Sequence, residues 1–226
     1  MQKDKITPEE INKNIDAHVT EIAREFKQGF EFLKKYQKSV TIFGSARLTE
    51  KSSHYNDAVT LGSKIVEETH YTVLTGGGGG IMEAANKGAF MAKGNSIGLN
   101  IILPHEQMLN PNVTDSIHFN YFFARKALMT FSSECYVFFP GGFGTFDELF
   151  GILTLIQTKK IPQVPIILFG KDFWTPAKEF IISHMLNHHH TINKEDLDLF
   201  VITDSFDHAI KIIKNAKVSD WWTIMD

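Results

Sequence analysis

Apolar residues along this chain follow two different rhythms. Between residues 8 and 37, Ile11, Ile15, Val19, Ile22, Phe26, Phe30 and Leu33 recur every three or four positions, the spacing of one helix face. Thr7, Pro8, Glu9 and Glu10 mark the start of that helix. They supply a capping hydroxyl, a proline suited to the first helical position, and acids beside the positive helix end. Such a face packs on its own domain or, as a second use, on a partner subunit.

After this helix the rhythm changes. Seven short apolar runs follow: SVTIFG, YTVLTGG, SIGLNI, SIHFNYF, CYVFFPGG, VPIILFG and LFVITDS. Most are separated by segments long enough for a helix, at about 53–69, 80–92, 121–133, 145–158, 172–188 and 205–216. Near-continuous apolar strands alternating with helices imply a parallel sheet covered on both faces. The pattern therefore predicts an α/β fold: one doubly wound sheet of about seven strands, in one domain over residues 1–226. Sites in such sheets lie beyond the carboxyl ends of the strands, near the topological switch point. Glycines gather at those ends: Gly44 with Ser45 after the first run, Gly76 to Gly80 after the second, and Gly141, Gly142 and Gly144 after the fifth. Three glycine-bearing ends argue for one shared cleft.

The stretch TGGGGGIMEAANKGA puts five glycines between a strand and a helix. Backbone N–H groups there approach a ligand closely, and the helix start adds positive partial charge, which suits phosphate. It fits neither the dinucleotide pattern G-x-G-x-x-G nor the Walker loop. PGGFGTFDELF repeats the device. Thr145-x-x-Glu148 is also the spacing of a capping box, and taken alone the stretch reads either way. Paired with a second glycine loop at the same sheet edge, the anion-site reading prevails. A glutamate in the first helical turn stays ionised unless heavily desolvated, so Glu148 suits a base or a stabiliser of positive charge. Arg125 and Lys126, early in a helix, oppose its dipole and would gain from an anionic partner; a solvated basic pair is the plainer reading.

Composition narrows the function classes. The net charge of −3, with no block of either sign, gives no support for non-specific nucleic-acid or membrane-surface binding. The single cysteine, Cys135, sits in an apolar run as an inert thiol, which fits a reducing, cytoplasmic setting. The first residues lack the apolar core of a signal peptide, and no run is long enough to span a membrane. His184 and His188 are four apart, followed by His189 and His190, but no acidic or third ligand stands at metal spacing. The pair Trp221 and Trp222 is expected to pack on the domain or on a partner subunit.

Taken together, GGGGGIMEAANKGA, ARKALM and PGGFGTFDELFGILTLIQTKKIP resemble the LOG (Lonely guy) family of cytokinin riboside 5′-monophosphate phosphoribohydrolases, long labelled possible lysine decarboxylases. The likeness runs from about Ser39 to Trp174, and ILPHEQMLNPNV resembles the longer bacterial branch. It implies a Rossmann-like domain that forms a homodimer or larger homo-oligomer. It also implies hydrolysis of the N-glycosidic bond of a purine nucleoside 5′-monophosphate, with adenine or an isoprenylated adenine as base, to free base and ribose 5-phosphate. By position, the family's Arg-Lys pair falls on Arg125 and Lys126, and the glutamate closing its P-G-G-x-G-T-x-x-E motif on Glu148. Its phosphate-binding residues fall on Gly141, Gly142, Gly144 and Thr145, supported by Gly77, Gly78, Gly79 and Gly80, and Glu83 matches the acid after the first loop. Gly79 stands where proline is common, and Asn120 where histidine is expected.

The implied chemistry suits these residues. Glu148 would stabilise the oxocarbenium-like ribose and orient or deprotonate water. Arg125 would stabilise the departing base or clamp the phosphate. No metal or redox cofactor is called for. Lysine decarboxylation would need a desolvated Schiff-base lysine, and nothing marks Lys87 or Lys126 as one. A non-catalytic nucleotide sensor on the same fold is the rival from another class.

Overall fold

The computed structural model describes residues 7–102 and 108–217; Trp221, Trp222 and part of the ILPHEQ stretch lie outside them. The first helix, α1, spans Pro8–Leu33 and stops where the apolar spacing stops. Seven strands follow: β1 (Ser39–Phe43), β2 (Thr72–Thr75), β3 (Ser96–Ile101), β4 (Asp115–Phe119), β5 (Cys135–Phe138), β6 (Ile166–Phe169) and β7 (Val201–Thr203). The helices between and after them are α2 (Ser53–Thr69), α3 (Ile81–Met91), α4 (Phe122–Thr130), α5 (Phe143–Gln157), α6 (Lys171–Phe180) and α7 (Phe206–Lys214).

All described pairings are parallel, in the order β4-β3-β2-β1-β5-β6-β7. The order reverses between β1 and β5, whose register runs from Val40 opposite Cys135 to Phe43 opposite Phe138. β1, β2, β3, β5 and β6 are buried at every position, so both sheet faces carry a core. On one face Ile42, Val73 and Val137 pack under α2, α3 and α7, through residues such as Leu61, Ile81 and Ile210. On the other face Leu74, Leu99, Tyr136 and Phe138 pack under α1, α4, α5 and α6, through Phe32, Leu128, Ile152 and Trp174. The Trp174 indole donates to the Phe138 carbonyl at 3.0 Å, satisfying the one polar atom of a fully buried ring. Cys135 is buried and free, and burial pushes its thiol up.

Two local elements differ from the sequence pattern. The helix expected over 172–188 is α-helical only to Phe180 and runs on as a π-helix, Ile181–His188. A 3₁₀ segment, Lys194–Leu199, precedes β7; its start is closed by a capping box between Asn193 and Asp196. No helix among the described residues is long and apolar enough to cross a membrane.

Candidate active site

The reversal of strand order leaves a cleft of about 750 Å³ beyond the ends of β1 and β5, where a doubly wound sheet places its ligands. One wall comes from the turn after β1, with Gly44, Ser45 and Arg47. The opposite wall comes from the turn after β5 and the first turns of α5, from Gly141 to Glu148. Arg125 and Phe122 reach in from α4, and Gly76 and Met82 close the back.

The turn after β5 does not form the capping box that the Thr145-x-x-Glu148 spacing would allow. Gly142 is the residue before the helix, it carries no side-chain cap, and Thr145 already lies inside α5. Thr145 and Phe146 return their N–H groups to the Gly142 carbonyl, so Phe143 and Gly144 are the residues whose N–H groups face outward from the helix start. Thr145 is buried, its hydroxyl placed where a side chain on Gly141 would sit. Gly142 has an ordinary extended backbone, and a Cβ added there or at Gly144 would meet no described atom within 4 Å. Nothing among the described residues demands glycine at these two positions.

Because the helix begins at Phe143, Glu148 sits beyond its first turn. Glu148 is 6% exposed, and its Oε2 has no hydrogen-bond partner among the described residues. This is the heavy desolvation under which such a glutamate need not stay ionised. Burial raises the Glu148 pKa to about 7, against the pull of Lys126 and Arg125 in the other direction. A carboxyl poised near neutrality can hold or release a proton at working pH.

Arg125 is fixed from three sides. Its Nε donates to the Leu99 carbonyl at 2.8 Å, its guanidinium lies 5.8 Å from the Phe122 ring centroid, and its terminal nitrogen occupies the space a side chain on Gly76 would need. Burial pulls the guanidinium down from its usual range while the charge of Glu148 pushes it back up. It remains a cation, since arginine starts so far above neutrality.

The other sequence candidates fall outside the cleft lining. Lys126 turns to Asp147, with Nζ 2.6 Å from its carboxylate. Lys87 pairs with Glu50 at 2.7 Å, which raises its pKa; a Schiff-base lysine needs the opposite shift. Glu83 stands in the first turn of α3. Gly77, Gly78, Gly79 and Gly80 form the turn beneath. Gly80 has φ +68°, and a Cβ on it would run into the Ser45 carbonyl; Ile81 N–H donates to that same oxygen at 2.9 Å. The buried Asn110 side chain donates to the carbonyls of Gly77 (3.1 Å) and Gly78 (3.0 Å) and to Asn86 (3.0 Å). Asn120, the departure from the family pattern, donates to Glu25. Asn110, Phe122, Phe143 and Arg47 were not singled out by sequence; of these only Arg47 carried a signal, a cation three residues after Gly44. The four histidines of 184–190 are exposed, and no group of three or more His, Cys, Asp or Glu among the described residues has the geometry to hold a metal.

A family model described as "Possible lysine decarboxylase" matches residues 82–213, more than half of the chain. The chain belongs to this family. Its LOG members include two proteins of Oryza sativa subsp. japonica. One, "Probable cytokinin riboside 5'-monophosphate phosphoribohydrolase LOGL5", is 28% identical over 60% of this chain and 55% of its own length. The other, named as the cytokinin riboside 5′-monophosphate phosphoribohydrolase LOG, is 29% identical over 65% of this chain and 61% of its own. The chain thus matches less than two thirds of either relative. Among solved structures, the molybdenum cofactor binding protein from Rippkaea orientalis is 26% identical, with a TM-score of 0.57 over 78% of this chain and 93% of that one. One LOG-family fold thus accompanies both a hydrolase name and a binding-protein name.

Proposed function

We propose that this chain hydrolyses the N-glycosidic bond of a purine nucleoside 5′-monophosphate, giving free base and ribose 5-phosphate. The observation that carries the reading is the Glu148 carboxyl, buried, lacking a partner at Oε2 and raised to about 7, in the same cleft as Arg125. The 5′-phosphate rests against the outward N–H groups at the start of α5, where Gly142 and Gly144 let it approach the backbone. That contact supplies binding energy remote from the reacting carbon. Ionised Glu148 faces the anomeric carbon, stabilises the developing positive charge and takes a proton from the attacking water. The glycosidic C–N bond breaks as the C–O bond forms, its electron pair leaves with the base, and the proton that Glu148 took from water passes through solvent to the base nitrogen. Arg125 stabilises that departing charge or holds the phosphate.

A second reading, a binding protein without turnover, draws support from the name of the solved relative. One assay separates the two: nucleoside monophosphates, including AMP and isopentenyl-AMP, beside the bare nucleosides, with free base quantified. The hydrolase reading expects release from monophosphates, loss with Glu148→Ala, and none from nucleosides. Saturable binding with no released base would replace it with the carrier or sensor reading. We further propose a homodimer or larger assembly acting in the cytoplasm, with the face of α5 as contact, because Phe143 is 97% exposed and Phe150 is half-exposed beside it. Light scattering of the purified chain tests the assembly.

A further inference from the structure

The helix that delivers Arg125 lacks a cap of its own. Tyr121 precedes α4 and makes no capping hydrogen bond. The two residues leading into the helix are held instead by Glu25, from α1, far away in sequence and outside the family match. Its carboxylate accepts from the N–H of Asn120 at 2.7 Å, from the Asn120 side-chain amide at 2.9 Å, and from the N–H of Tyr121 at 3.2 Å. The carboxylate is 2% exposed. Gly29, one turn further along α1, has no side chain where Leu128, about two turns into α4, lies against it, so α1 and α4 meet at two points. His18 adds a third contact nearer the α1 start, 2.6 Å from the Tyr121 hydroxyl.

We infer that Glu25 is a positioning residue for Arg125: it anchors the α4 start from α1 and so sets where the guanidinium stands against Glu148. The inference rests on the assignment of Arg125 and Glu148 to one site. A buried carboxylate at a helix start satisfies donors left without partners and answers the positive end of the helix dipole. With Glu25 holding the backbone and the Leu99 carbonyl holding Nε, the side chain is fixed at both ends. Asn120 is part of this arrangement: where the family resemblance led us to expect histidine, the amide gives Glu25 a second donor from one residue.

The test reads Glu148 rather than product, so it does not depend on turnover. The carboxyl of Glu148 is followed by ¹³C NMR against pH in the free protein, for the wild type, Glu25→Ala, Glu25→Gln and Ile213→Val. The last variant trims the core on the opposite sheet face and stands for plain destabilisation. Loss of the anchor lets Arg125 recede, so the Glu148 midpoint rises in Glu25→Ala, while Glu25→Gln, which keeps an acceptor oxygen, recovers much of the wild-type value. Ile213→Val leaves it unmoved. If the wild type turns over nucleotide, kcat/KM in Glu25→Ala falls by on the order of tenfold or more, as small misplacements of catalytic groups do. A Glu148 midpoint unchanged in Glu25→Ala, or shifted as far in Ile213→Val, overturns the positioning role. Absence of turnover in the wild type would instead count against the hydrolase reading alone.

Discussion

The two glycine turns look alike in sequence and are built for different ends. Within the turn from 76 to 80 the chain itself requires glycine at 77 and 80. Gly77 and Gly80 have φ of +74° and +68°, Gly80 packs against the Ser45 carbonyl, and Asn110 ties down the carbonyls of Gly77 and Gly78. In the turn from 141 to 144, Gly141 packs on Thr145, but at Gly142 and Gly144 a side chain would meet no described atom within 4 Å. The first turn holds the cleft in shape; the second offers backbone to whatever enters. Counting glycines cannot separate these roles, because the reason for the residue lies inside the fold in one case and outside it in the other.

The sharpest way to test the contrast is at the residue the second turn leads to. Glu148→Gln is expected to lower kcat by on the order of 10²-fold or more, with KM for the monophosphate little changed, since a general base acts mainly in the transition state. Steady-state kinetics on AMP checks it, and a KM effect alone would reduce Glu148 to a binding group. At the first turn, Gly80→Ala should cost about 3 kcal/mol of unfolding free energy, from backbone strain and the clash at Ser45. Urea titration measures this. A fully stable Gly80→Ala protein would remove the distinction between the two turns.

The pH dependence follows from burial of the same acid. Glu148 is raised from 4.5 to about 7 in the fold, so between those values the native state binds more protons than the unfolded chain. Its contribution to stability is complete below about 4.5 and is lost as pH rises through 7, amounting to about 3 kcal/mol. Denaturation curves across that window should flatten in Glu148→Gln. The smallest effect belongs to Gly144→Ala. Alanine suits a helix better than glycine by up to about 1 kcal/mol, so the melting temperature should hold or rise. AMP affinity should nonetheless weaken about tenfold, or about 1.4 kcal/mol. Unchanged affinity by calorimetry would move the phosphate elsewhere.

Five of the seven apolar runs were legible because a sheet buried on both faces writes itself as uninterrupted hydrophobic residues, while the edge strands β4 and β7 keep exposed positions. The helix at 53–69 matches α2 end to end. Periodicity carries no information about partners, however, and the order β4-β3-β2-β1-β5-β6-β7 depends on which runs pair. The glycine-bearing strand ends pointed to the cleft, and Gly44, Arg125, Gly141 and Glu148 do line it. The capping box did not form because the helix begins two residues before Thr145, a shift that spacing rules do not resolve. Asn110 and Glu25 escaped notice because a lone polar residue looks solvated until the fold supplies three donors or acceptors around it.

The notch at Gly76 ties two distant positions into one choice. Any side chain there takes the room in which the guanidinium of Arg125 now rests. A larger residue at 76 therefore displaces the guanidinium from where it now rests, and a shorter residue at 125 would restore the room.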